Sequence, residues 1–147
     1  MKIKLILLIL LTLWIPVTVD KVMDFEIFKT GILKQPFDDT LGYILIYTLP
    51  LLEGLTILFL LIPRMQYYGM LLSLGLMLVF TTYVGLALGG AWEELPCGCG
   101  SVISWMNWKQ HFWFNLCFTA LSGWGFYLVK LKRGSDAGGV TAEGVPA

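Results

Sequence analysis

Long apolar stretches interrupted by short polar segments form the hydrophobicity pattern of this 147-residue chain. A hydrocarbon core about 30 Å thick needs roughly 20 apolar residues to cross it, and about 17 at the least. The pattern predicts four such spans, at about residues 3–19, 42–62, 67–89 and 111–130. The sequence therefore predicts an all-α integral membrane protein, with a four-transmembrane-helix bundle in residues 1–133.

The first span has an alternative interpretation as a cleaved signal peptide, because Lys2 and Lys4 precede its apolar run. The segment that follows, from Pro16 to Asp20, offers no Ala-x-Ala cleavage site, and the run is longer than a usual signal-peptide core. We therefore expect this segment to remain as a helix.

Two polar segments have predicted structures of their own. Between the first two spans, Phe25, Phe28 and Ile32 recur at helical spacing, and Gln35-Pro36 ends the pattern. This spacing predicts a short amphipathic helix in the first outer loop, lying on the membrane surface. Residues 134–147, rich in Gly, Ala and Val, carry no such pattern and are predicted to form a disordered tail.

Composition narrows the class of protein. Hydrophobic residues make up 57% of the chain and charged residues 14%, whereas charged residues reach about 25% in soluble domains. The formal net charge is zero, so nucleic acid finds no basic surface to bind. Membrane lipid is therefore the one partner that composition predicts.

Charges between the spans predict the orientation. Cations fall on one side of the predicted membrane at Lys2, Lys4, Arg64, Lys130, Lys132 and Arg133. The other side carries most of the acidic residues and fewer cations, namely Lys21, Lys29, Lys34 and Lys109. The positive-inside rule then predicts a multi-pass protein of the bacterial cytoplasmic (inner) membrane with both termini cytoplasmic and the second outer loop periplasmic.

That second outer loop contains the sequence Cys97-Gly98-Cys99. Two cysteines this close form a disulfide only in a strained ring, and strain raises the reduction potential. The periplasm permits disulfides, so the spacing favours a redox-active pair as the catalytic residues. Tryptophans typical of the membrane–water boundary surround the pair at positions 92, 105, 108 and 113.

Two other interpretations of the cysteine pair remain open. The pair could be inert, or it could form half of a metal site with His111 and Cys117. A closed zinc site needs four ligands, usually in Cys-x-x-Cys-type pairs, and this spacing differs. We therefore predict no metal site, and we expect Cys117, which lies inside the last span, to be a small buried hydrophobe.

Glu53 and His111 are weaker candidates, as cofactor-binding residues. A carboxylate inside an apolar span is costly and usually faces a cavity or a partner helix, so Glu53 is a candidate for proton handling or for binding a quinone-like headgroup. The alternative is a protonated glutamate that bonds to a neighbouring helix through Tyr47, Tyr83 or Thr81. His111 is the only histidine, and it either accepts a proton from a thiol or simply lies at the interface.

Several motifs together resemble the MauE (methylamine utilisation) branch of the DoxX-like membrane proteins. The matching residues, between about Lys2 and Lys130, are Phe28, Ile32, Gln35-Pro36-Phe37, Leu49-Pro50-Leu51-Leu52-Glu53, Gly69, Ser73, Phe80-Thr81-Thr82-Tyr83, Pro96-Cys97-Gly98-Cys99-Gly100, Trp108, His111 and Asn115. The chain departs from the family's Cys-Gly-Cys-Phe-Gly motif, because Gly100 and Ser101 follow Cys99. The resemblance implies a four-helix membrane protein associated with redox or disulfide chemistry outside the cytoplasm, but it does not imply methylamine as a substrate.

The resulting functional hypothesis is a membrane thiol–disulfide oxidoreductase or electron-transfer protein that uses Cys97 and Cys99 through a mixed disulfide. The first outer loop has no cysteine, so this one pair must meet both an extracytoplasmic protein partner and an electron acceptor, for which a membrane quinone is the candidate. The alternative is a non-catalytic membrane subunit or assembly factor in which the pair is structural or metal-binding. The sequence leaves open the partner, the direction of electron flow and the attacking sulfur.

Overall fold

A computed structural model describes residues 1–91 and 106–139. Over these residues the chain is helical, with the elements α1 (Lys2–Met23), α2 (Phe25–Leu33), α3 (Asp39–Leu61), α4 (Gln66–Leu88) and α5 (Trp108–Gly139). All except the short α2 are long and apolar enough to cross a membrane. The predicted all-α, four-span architecture is confirmed.

Side-chain caps fix where two of the long helices begin. At the start of α3, the Asp38 carboxylate accepts a hydrogen bond from the backbone N–H of Thr40 at 3.2 Å. At the start of α5, Asn107 and Gln110 cap each other: each backbone N–H donates to the other's side-chain oxygen, at 3.1 and 2.9 Å. These contacts satisfy N–H groups that have no partner inside the helix.

The short helix α2 lies between the first two spanning helices, where the sequence predicts a short amphipathic helix. Its apolar face is buried, since Phe28 and Ile32 both belong to the core of the bundle. Gly42 on α3 brings the two helices close together, because a Cβ atom there would lie 3.3 Å from the Leu33 side chain. The helix therefore packs against α3 and does more than cover the membrane surface.

Apolar side chains divide between an inner and an outer face of the bundle. The most deeply buried apolar side chains are Leu10, Trp14, Ile46, Leu60 and Met70. Large apolar side chains such as Leu8, Leu51 and Val79 point outward and are exposed. An apolar outer surface of this extent would be an aggregation hazard in water, but it suits contact with lipid.

Small hydroxyl side chains connect α1, α4 and α5 inside the bundle. The Trp14 indole N–H donates to the Ser73 hydroxyl at 2.9 Å, and Ser73 in turn bonds to the Ser122 hydroxyl at 2.9 Å. Closer to the end of α4, the hydroxyls of Thr81 and Thr119 are 2.9 Å apart. Such bonds hold helices together where lipid removes the hydrophobic drive for association.

The last helix differs from the sequence prediction in two respects. It continues to Gly139, into the segment predicted to be a disordered tail, while residues 140–147 lie outside the described part of the chain. Each residue that extends an existing helix adds one backbone hydrogen bond, so α5 continues through the charged turn that follows the span. The expectation for Cys117 was wrong, because this side chain is exposed on the outside of the bundle.

Gly69, one turn into α4, lies directly against the backbone of α3. A Cβ atom there would lie 2.8 Å from Leu60 N and 2.9 Å from Phe59 C. We predict that Gly69→Ala lowers the free energy of unfolding by about 1–3 kcal/mol, because backbone atoms cannot yield as a flexible side chain can. Denaturant titration of the detergent-solubilised protein measures this loss.

The matched control is Gly75→Ala on the same helix, where an added Cβ atom meets nothing within 4 Å. The free energy of unfolding of this variant should be unchanged or slightly higher, because alanine favours a helix more than glycine does. Equal destabilisation by both substitutions would contradict the close α3–α4 contact.

Candidate functional site: a buried ion pair beside an aromatic cavity

An ion pair joins α1 to α3 inside the bundle. The Lys21 ammonium donates to Oε1 of Glu53, and both residues are buried, at 5% and 0% exposure. Lys21 lies in the last turn of α1, whereas Glu53 lies near the middle of α3. Side chains on a helix lean toward its N-terminus, and the two helices run in opposite directions, so the two side chains lean toward each other.

Aromatic rings from two further helices enclose the ammonium. Lys21 Nζ lies 5.5 Å from the ring centroid of Phe28 on α2 and 5.5 Å from that of Phe80 on α4. A cation at this distance from a ring is attracted by the ring quadrupole, and more strongly where water is excluded. One buried charge therefore contacts side chains from α2, α3 and α4.

The carboxylate keeps unused hydrogen-bonding capacity. Glu53 Oε2 and the hydroxyl oxygen of Thr18, one turn before Lys21, are both buried without a hydrogen-bond partner in the described part of the chain. Buried polar atoms are usually paired, so this end of the ion pair can take up a further proton donor or acceptor.

A cavity of about 160 Å³ lies beside the ion pair. Its wall is mainly aromatic and aliphatic and comes from every helix of the bundle. The residues with polar groups on the wall are Lys21, Tyr83, Trp14, Trp108, His111 and Asn115. Concave, mostly apolar cavities with a few polar groups are typical of small-molecule sites.

The polar residues of the wall are held in different ways. The Tyr83 hydroxyl donates to Gln35 Oε1, and Gln35 Nε2 donates to the Gly31 carbonyl at 3.0 Å, so this pair connects α4 to the C-terminal end of α2. Asn115 is 3% exposed, and its Nδ2 makes no hydrogen bond within residues 1–91 and 106–139. The wall therefore combines a fixed tyrosine with an unpaired amide.

The residues singled out from the sequence have different outcomes. Glu53 does bond to a neighbouring helix, but Tyr47, Tyr83 and Thr81 were the wrong partners. Tyr83 bonds to Gln35, and Thr81 bonds to Thr119 and to the Met77 carbonyl. Tyr47 lies against the Phe25 ring.

His111 lies on the cavity wall, in the first turn of α5, with its ring 6.4 Å from that of Trp108. Cys97 and Cys99 lie outside the described residues. Within the part of the chain that the structure describes, no three His, Cys, Asp or Glu side chains are grouped closely enough to hold a metal ion.

Sequence reasoning missed Lys21 and Asn115. It ended the first span at Val19 and counted Lys21 among the loop cations, although nothing between Val19 and Met23 breaks a helix. The available sequence signal for the ion pair was a single lysine at the end of one span and a single carboxylate inside the next. The sequence identifies Asn115 only as part of a motif, and no sequence signal shows that it lies on a cavity wall.

The ion pair predicts a strong non-additivity between two substitutions. Lys21→Met and Glu53→Leu should each destabilise the protein by about 3–5 kcal/mol, because each leaves one charged or polar partner buried alone. The double variant should recover most of this loss, since two apolar side chains of similar size replace the pair. Free energies of unfolding in a double-mutant cycle measure the coupling between the two residues. A double variant destabilised by the full sum of the two single losses would contradict a direct pair.

A comparison with known protein families gives a match over most of the chain. The family model described as methylamine utilisation protein MauE matches residues 2–128. No curated protein and no solved structure gives a match. The matched segment includes all four spanning helices as far as Leu128, together with the ion pair, the cavity wall and the Cys97-Gly98-Cys99 sequence. The chain is a multi-pass membrane protein and belongs to the MauE family.

Proposed function

We propose that this protein is a thiol–disulfide redox protein of the extracytoplasmic membrane face, with Cys97 and Cys99 as its reacting pair. The observation that carries the proposal is the cavity at the facing ends of α4 and α5. Its wall includes Tyr83 and His111, and the segment with the cysteine pair connects these two helices. A small-molecule cavity at the two helices that the cysteine segment joins would give a redox pair in that segment an electron acceptor.

The proposed reaction moves two electrons. Two thiols of a protein partner reduce the Cys97–Cys99 disulfide by way of a mixed disulfide, and the partner leaves with a new disulfide. A lipid-soluble quinone then takes two electrons and two protons from the Cys97/Cys99 dithiol, which restores the disulfide and yields the quinol. His111, at the start of α5, is the candidate to accept a proton as a thiol becomes a thiolate.

The buried ion pair supports the proposed orientation. Lys21 is buried and bonds to Glu53 inside the bundle, so it no longer counts among the cations of the outer loops. The remaining loop cations are then more strongly biased toward the side of the chain termini, which favours the cytoplasm for both termini. The cysteine segment falls on the opposite, periplasmic side of a bacterial cytoplasmic membrane.

Thiol trapping in intact cells tests the redox role. With alkylating reagents of known mass, Cys97 and Cys99 should be found in both the reduced and the oxidised form. Replacing one of them with serine should accumulate a mixed disulfide with a partner protein, because no second thiol is left to resolve it.

The matched control is Cys117→Ser, which removes the exposed cysteine of α5 and should leave the trapped states unchanged. A pair that never changes state, and a Cys97→Ser/Cys99→Ser double variant with full biological activity, would instead assign the protein as a non-catalytic subunit or assembly factor.

A further inference from the structure

Asn115 belongs to the cavity wall, and its amide is a buried donor. Its Nδ2 has no hydrogen-bond partner in the described part of the chain, and the residue is 3% exposed. The neighbouring polar side chains of α5 do find partners, as Thr119 does with Thr81. A buried donor left unpaired is destabilising, so the amide needs an acceptor that the described protein does not supply.

The size and wall of the cavity fit one six-membered ring. Its volume is about 160 Å³, and an apolar protein cavity of about 150 Å³ accommodates benzene. Aromatic wall residues such as Trp14, Phe28 and Phe80 offer edges and faces for stacking against a planar ring. A single ring therefore fills this space with favourable contacts.

The polar groups on the wall favour a ring that carries acceptor oxygens. An ammonium group has three donor hydrogens and no acceptor. Lys21 Nζ donates one of these hydrogens to Glu53. Asn115 Nδ2 adds a second donor, from a different helix. Two donors beside an apolar cavity match a ring with carbonyl groups better than a plain hydrocarbon.

We propose that this cavity binds the ring of a membrane quinone, with its carbonyl oxygens accepting hydrogen bonds from Asn115 Nδ2 and Lys21 Nζ. Most of the cavity wall belongs to the spanning helices, which suits a lipid-soluble ring. The role of the bound quinone as electron acceptor rests on the proposed function, whereas its binding does not.

Equilibrium dialysis of the purified full-length protein in detergent tests the site with two probes. Ubiquinone-1 carries a fully substituted benzoquinone ring, and toluene is a single six-membered ring without oxygen. Both should bind saturably to the unaltered protein. In Asn115→Leu, the affinity for ubiquinone-1 should fall about tenfold, since one hydrogen bond is lost, while that for toluene stays within about twofold.

Filling the cavity gives an independent test. Val84 is buried on the wall, and Val84→Phe should abolish binding of both probes. The matched control is Leu116→Phe, which places the same aromatic side chain on the exposed side of α5 next to Asn115 and should bind both probes normally. Thermal unfolding of each variant confirms that it is folded, and Asn115→Leu keeps the test valid if Val84→Phe does not fold.

The outcomes separate this inference from the proposed function. Normal ubiquinone-1 binding by a Cys97→Ser/Cys99→Ser double variant supports the site even if thiol trapping finds no redox change. Absence of saturable ubiquinone-1 binding, or binding that Asn115→Leu and Val84→Phe both leave unchanged, overturns the site. Thiol cycling would then point to another electron acceptor and leave the proposed function in place.

Discussion

The ion pair between Lys21 and Glu53 constrains how the helices around it can pack. A charge in the membrane interior is tolerated only with a partner or beside a water-filled cavity, and here the partners come from separate helices. Glu53 on α3 supplies the opposite charge, while Phe28 on α2 and Phe80 on α4 supply the aromatic faces. A rotation of any one of these helices would remove a contact that the charge requires, so the pair selects one arrangement among many that apolar packing alone would allow.

Further polar contacts extend this constraint along the bundle. Trp14, Ser73 and Ser122 connect α1, α4 and α5 at one level, and Thr81 with Thr119 connects α4 to α5 at another. Most of the remaining interior is apolar and gives little directional information. The cavity is located where these contacts leave room, between the ion pair and the first turns of α5, and its polar groups therefore project from helices whose orientation is already fixed.

The sequence predicts the helices better than it predicts the site. Long apolar runs are sufficient to predict spanning helices, because lipid permits few other backbone structures, and the spacing of Phe25, Phe28 and Ile32 is sufficient for α2. The unusual position of Glu53 inside a span marks it as functional or paired, but its partner depends on how α1 and α3 pack. Lys21 was missed because a charge near a predicted span end resembles a loop residue, and Cys117 was misjudged because hydrophobicity does not distinguish a lipid-facing side chain from a core one.

The unequal depths of the two charged residues have a consequence for how the protein enters the membrane. Lys21 lies at the end of α1, where a long side chain can reach the headgroup region while the helix is still alone. Glu53 lies near the middle of α3 and has no comparable route to water once inserted. Insertion of α3 therefore depends on α1 being already in the membrane. Because α1 emerges before α3 during synthesis, Lys21 is in place when Glu53 is inserted.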